Sequence, residues 1–76
     1  MQIRESAENY LETILVLQRR QGQVRSIDIV NELSFSKPSV SIAMKNLRTN
    51  GYIEMDGDGV VHLLPPGEEI AERIYE

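Results

Sequence analysis

Cysteine is absent from this chain, so no disulfide can staple it and no thiolate can bind a metal. No stretch approaches the roughly 18 apolar residues that a membrane span needs. The opening residues MQIRESAEN lack an apolar core and carry acids, which is unlike a signal peptide. There is one histidine, no G-x-S-x-G elbow and no glycine loop for cradling phosphates. The motifs by which enzymes are recognised are therefore missing. From these absences we expect a soluble cytoplasmic protein that is not an enzyme. With 76 residues it makes one small domain, of a size that buries only about 60% of its unfolded surface. Such a domain is held by a compact helical core, a metal, a partner chain or a longer parent polypeptide.

Acids are missing from one window. The net charge is −4, which argues against indiscriminate nucleic-acid binding by the whole molecule. Yet no Asp or Glu lies between Leu33 and Ile53, a window that carries Lys37, Lys45 and Arg48. Arg19, Arg20 and Arg25 lie just upstream. The acids gather at the two ends, from Glu5 to Glu12 and from Glu54 to Glu76. A basic middle in an acidic frame is the charge layout of a small DNA reader.

The hydrophobic period places the elements. Residues 6–20 carry Ala7, Tyr10, Leu11, Ile14, Leu15 and Leu17 at helical spacing, with Ser6 as a candidate cap and Gly22 as the stop. Residues 26–33 form a short second helix with Ser26 as candidate N-cap and Ile27, Val30 and Leu33 at helical spacing, with Ile29 beside them. Val24 and Arg25 before it read as a brief extended piece. Phe35 to Lys37 make a turn, and Ser36 can cap the next helix. Pro38 sits in that helix's first turn, where a missing N–H is harmless. Val40, Ala43, Met44 and Leu47 line one face of Pro38–Asn50, and Gly51 supplies the left-handed stop. After Gly51 the period becomes two. Tyr52–Met55 and Val60–Leu64 flank Asp56-Gly57-Asp58-Gly59, which predicts a β-hairpin. Pro65-Pro66-Gly67 breaks it, and Glu68–Glu76 resumes a helical pattern. That last helix reads as one cut short. The expected fold is mostly α with a small β-hairpin: a winged helix-turn-helix with a three-helix core, a two-stranded wing and the start of a fourth helix.

The third helix is the candidate reading head. Ser39 and Ser41 are slim and can donate to or accept from base edges. Ile42 lies off the apolar stripe and is either a contact for a thymine methyl or an edge-of-core residue. Arg25, Lys37, Lys45 and Arg48 are candidates for phosphate contacts. The wing carries Asp56 and Asp58 where a cation would suit DNA better. His62 stands on a strand without an obvious partner. Asp56-Gly-Asp58-Gly lacks the third acid and distal glutamate of a calcium loop, and turn chemistry accounts for it.

The segments SAENYLETILVL, VRSIDIVNEL, SKPSVSIAMKNLRTNGYI and HLLPPGEEIAERIYE, in that order, resemble the N-terminal domain of the diphtheria-toxin-repressor family. Those proteins are iron- and manganese-dependent transcriptional regulators of bacteria. The resemblance implies a sequence-specific DNA-binding domain of a metal-dependent repressor, working in full-length form as a homodimer on a palindromic operator in double-stranded DNA. It also implies that residues 1–76 are the DNA-binding domain and that the family's metal-binding and dimerisation domain is absent. Ser26, Ser36, Lys37, Pro38, Ser39 and Ser41 join Arg25, Ile42, Lys45 and Arg48 as expected DNA-binding residues. Ile42 stands where some members have glutamine or a basic residue, which leaves the operator sequence open. Two family metal positions fall on Asn9 and Glu12. Glu12 fits a manganese-type pattern; Asn9 departs from the usual aspartate, and iron-type members often have methionine there. The implied cofactor is Fe2+ or Mn2+ in a full-length protein, with no tight binding to these residues alone. Two other readings stay open: a winged-helix regulator with a non-metal effector, and a winged-helix module for protein–protein contact.

Overall fold

The computed structural model describes the backbone of residues 3–75 and the side chains of residues 7–74. Four helices and two short strands follow in the order α1 (Ile3–Gln21), α2 (Ser26–Leu33), α3 (Lys37–Thr49), β1 (Ile53–Met55), β2 (Val61–Leu63) and α4 (Pro65–Tyr75). The expected architecture is present. Its boundaries differ in ways that have local causes.

α1 begins at Ile3, so Ser6 lies inside the helix and does not cap it; its side chain falls outside the described residues. The helix stops where Gly22 takes a φ of 89°, with Gly22 N–H donating to the Gln18 carbonyl. α1 buries Tyr10, Leu11, Ile14, Leu15 and Leu17 and is the strut on which the other helices pack. Burying one such side chain fully is worth about 1.5–3 kcal/mol, and Ile14 is wholly enclosed.

In α2 the cap is Arg25 and not Ser26, which is the first helical residue. The Asp28 carboxylate accepts the Arg25 N–H at 2.9 Å and ties down this end. The stripe also differs from the expected one. Ile29 is fully buried, whereas Ile27 is 45% exposed. The reason is angular: steps of three residues precess around a helix with 3.6 residues per turn. The contact face is Ile29 with Val30 and Leu33, both half-buried against the core, and Ile27 lies off it.

α3 ends as the left-handed glycine predicts. Gly51 has a φ of 79°. Its N–H donates to the Arg48 carbonyl at 3.1 Å, and the Tyr52 N–H donates to the Leu47 carbonyl at 3.0 Å. Both bonds close the last turn and reverse the chain into β1.

β1 and β2 pair antiparallel with Ile53 opposite Leu63, Glu54 opposite His62 and Met55 opposite Val61. The extended piece at Val24–Arg25 is present and adds to this sheet. Arg25 bridges Val60, and the Val61 N–H donates to the Val24 carbonyl at 2.7 Å. The hairpin is thereby anchored to the entry of α2.

α4 starts earlier than the prolines suggest. Pro65 and Pro66 are its first residues and do not break the chain away from it. The first four N–H groups of a helix have no intrahelical partner, so proline fits there. The Glu68 N–H then donates to the Leu64 carbonyl at 2.8 Å. Gly67 is buried against the Tyr52 carbonyl oxygen, where a Cβ would collide with it. The expected final residue of this helix, Glu76, lies outside the described residues.

Candidate nucleic-acid interface

The turn between α2 and α3 is Ser34-Phe35-Ser36. Ser34 takes the left-handed conformation, φ 58° and ψ 33°, which ends α2 and swings the chain round. Phe35 packs edge-on against Tyr10 of α1, with ring centroids 5.9 Å apart and planes at 69°. That contact fastens the turn to the strut. Burial pushes the Tyr10 phenol up from its ordinary value of 10.0. Ser36 is the cap it was expected to be: its Oγ accepts the Ser39 N–H at 3.3 Å. It also donates to Ser39 Oγ at 2.8 Å, which holds the Ser39 hydroxyl in place.

α3 turns Val40, Met44 and Leu47 inward and leaves its opposite face open. At about 100° per residue, Pro38, Ile42, Lys45 and Thr49 share the line opposite Val40. All four are exposed. Ile42 is 63% exposed, more than any other large apolar side chain among the described residues. The sequence left it between a core-edge residue and a surface one; the structure puts it on the surface. Ser39, Ser41 and Asn46 flank this line and are exposed too.

Charge sorts the same way. Arg20 forms a two-pronged contact with Glu32, at 3.0 and 3.4 Å. Arg19 pairs with Glu72 and Arg73 with Glu69, each at 3.6 Å. By contrast, among the described residues Lys37, Lys45 and Arg48 have no carboxylate partner. Arg25 donates its Nε to the Asp58 carbonyl at 3.2 Å and has no acidic partner there either. Among the described residues, the cations of the α3 region are thus left unneutralised, while Arg19, Arg20 and Arg73 are paired with acids. Ser26, Ile27, Val30, Lys37 and Ser41 line a hollow of about 250 Å3 where the starts of α2 and α3 converge.

In the wing the Asp56 carboxylate is satisfied from within the hairpin. Asp56 Oδ1 accepts the N–H groups of Asp58 at 2.9 Å and Val60 at 3.0 Å. Its Oδ2 meets His62 Nε2 at 2.9 Å. So His62 does have a partner, which sequence spacing did not reveal because the hairpin brings position 62 back beside position 56. The His62 hydrogen bond, then the Val60 N–H, hold the Asp56 carboxyl below its ordinary value of 3.8. The Arg25–Asp58 contact was missed for the same reason, being formed across 33 residues of chain.

Asn9 and Glu12 lie one turn apart on α1, Asn9 exposed and Glu12 half-buried. Neither side chain is engaged in a hydrogen bond or ion pair among the described residues. They bring two oxygen donors, one of them uncharged, whereas a divalent cation of this class takes four to six. No group of three or more His, Cys, Asp or Glu converges among the described residues. The pair fits an ion only as one side of a larger donor set. No helix among the described residues is long and apolar enough to cross a membrane.

Comparison with known proteins agrees with this geometry. Residues 2–61 match the family model described as iron dependent repressor, N-terminal DNA binding domain. The chain is 37% identical over 73 residues to the transcriptional regulator MntR of Escherichia coli O6:H1, covering 96% of this chain and 47% of that protein. It is 34% identical over 73 residues to MntR of Salmonella typhimurium, covering 96% of this chain and 46% of the relative. The chain therefore spans about half the length of these relatives, all of which are transcriptional regulators by name.

Proposed function

The chain belongs to the iron-dependent repressor family as its N-terminal DNA-binding domain, and on that premise we propose that α3 enters the major groove of double-stranded DNA. Ser39, Ser41 and Ile42 face base edges from the first half of the helix, with Pro38 and Ser36 shaping its start. Lys37, Lys45 and Arg48 meet phosphates on either side, and Arg25 and Ser26 do so from the start of α2. The observation that carries this reading is the set of unpaired cations on and beside an acid-free helix. An unneutralised cluster in a molecule of net charge −4 invites a polyanion.

A salt series on a labelled duplex tests it. Neutralising about four phosphates gives a slope of log K against log salt near −3.6, at about −0.9 per phosphate on B-DNA. A flat salt response, or no binding at low salt, overturns the assignment.

In a longer polypeptide we further propose that this domain serves a repressor governed by Fe2+ or Mn2+. Asn9 and Glu12 there supply two oxygen donors, with the remaining ligands outside residues 1–76. A bound divalent cation supplies a fixed link between α1 and those ligands. α1 is the strut under the helix-turn-helix, so its orientation sets where α3 points. In a homodimer on a palindromic operator, that orientation sets the spacing of two reading heads. Operator affinity of such a longer protein that does not change on adding Mn2+ or Fe2+ refutes the metal link and favours a different effector. Residues 1–76 alone show no tight metal binding by calorimetry under this reading.

A further inference from the structure

Resting on the proposed DNA-binding role, we infer that Ile42 is a specificity residue that reads the C5-methyl group of a thymine in the major groove. The position of the side chain is the first ground. It stands about 200° round α3 from Val40, on the far side from the core, and it is 63% exposed. Ile42 is the most exposed large apolar side chain among the described residues, so most of its apolar surface is free to meet a ligand.

Its neighbours identify the ligand. Ser39, Ser41, Lys45 and Asn46 surround it, all exposed. Lys37, Lys45 and Arg48 on the same helix are unpaired among the described residues. A protein partner would meet an isolated apolar group ringed by cations and hydroxyls. The major groove offers the matching pattern: acceptors for the hydroxyls, phosphates for the cations, and one apolar knob, the thymine methyl. Of the four bases only thymine presents a methyl group there. A branched Cβ makes the side chain stiff, which holds its methyl groups at a fixed place in the groove. Ile42 has no hydrogen-bonding atom, so it selects by apolar contact and by rejecting bases whose polar edges it would bury unpaired.

The chain itself is used for the test. Duplexes are recovered from a randomised pool at low salt, and each thymine of the preferred site is replaced singly by deoxyuridine, which removes only the methyl group. For the wild type, one thymine per bound domain is expected at which this change weakens binding about fourfold, the value of taking one methyl-sized group out of water. Ile42→Ala is expected to bind that site more weakly and to lose the methyl dependence at that thymine alone. Ile42→Val is expected to retain part of it. Circular dichroism melting checks that both variants remain folded. Sequence enrichment with no methyl dependence overturns this inference while leaving the DNA-binding assignment intact. Methyl dependence that persists in Ile42→Ala overturns it as well, since another side chain then reads the group. A pool with no bound duplex refutes both. Concentration-dependent dimerisation abolished by Ile42→Ala makes the residue a self-association contact and also overturns it.

Discussion

α3 and the wing share a core but treat their polar groups in opposite ways. α3 leaves Lys37, Lys45 and Arg48 without acidic partners and holds Ile42 out in water. The wing does the reverse. Asp56 uses both carboxylate oxygens on Asp58, Val60 and His62, and the Asp58 carbonyl takes Arg25. A surface made for an external ligand keeps donors and charges available; a brace uses them on itself. By that criterion the proposed division of labour is that the helix reads and the wing braces it.

The largest expected effect tests this division directly. Lys45→Glu with Arg48→Glu is expected to lower duplex affinity on the order of a hundredfold, since two phosphate contacts become repulsions. Thermal stability is expected to stay within about 0.5 kcal/mol, because both side chains are exposed. Asp58→Asn on the wing is expected to alter affinity less than about twofold at physiological salt. Equal losses from the two elements would erase the distinction between them.

The junction that braces the wing comes next. Gly67→Ala drives a Cβ into the Tyr52 carbonyl oxygen, backbone that cannot swing aside. We expect about 1–3 kcal/mol of destabilisation by urea unfolding, as for other overpacked sites. A neutral result would mean that α4 slides freely over the start of β1. Smaller is the loss from Ser36→Ala, about 1 kcal/mol from the missing cap on α3. That variant also frees the Ser39 hydroxyl, so a change in base preference without a change in salt slope would place Ser39 at a base edge.

The smallest effect sharpens the wing's side of the comparison. The Asp56 carboxyl lies below its ordinary value of 3.8 in the folded state. Its ionised form therefore adds stability above about pH 4, and that contribution fades as pH falls through the lowered folded value. The melting temperatures of wild type and Asp56→Asn are expected to differ at pH 6 and to converge toward pH 2. DNA affinity at neutral pH is expected to change little in the same variant. A gap that widens in acid would contradict the role of the Asp56 carboxylate in the turn.

Much of this molecule was legible as pattern. The order of helices, turn and hairpin follows from a switch in hydrophobic period between Leu47 and Ile53 and from punctuation by Gly22, Ser36, Pro38 and Gly51. These are local effects, settled within a few residues by backbone sterics and capping. The misread points were local. Ser26 was expected to cap α2, but Arg25 holds that position, its N–H donating to the Asp28 carboxylate. Two prolines looked like a break, yet the first turn of a helix tolerates them because its N–H groups have no partner.

By itself, then, the sequence determined the helix-turn-helix, the hairpin and the acid-free window, since each depends on neighbours along the chain. Only the tertiary structure decided which polar groups are engaged. Asp56 finds His62 across the hairpin, Arg20 finds Glu32 across two helices, and Arg25 finds the Asp58 carbonyl at the wing tip. The tertiary structure also decided that Ile27 and Ile42 face water while Ile29 does not. The physical reason is that burial and pairing depend on which surfaces meet, and a helical period says where a face lies without saying what covers it.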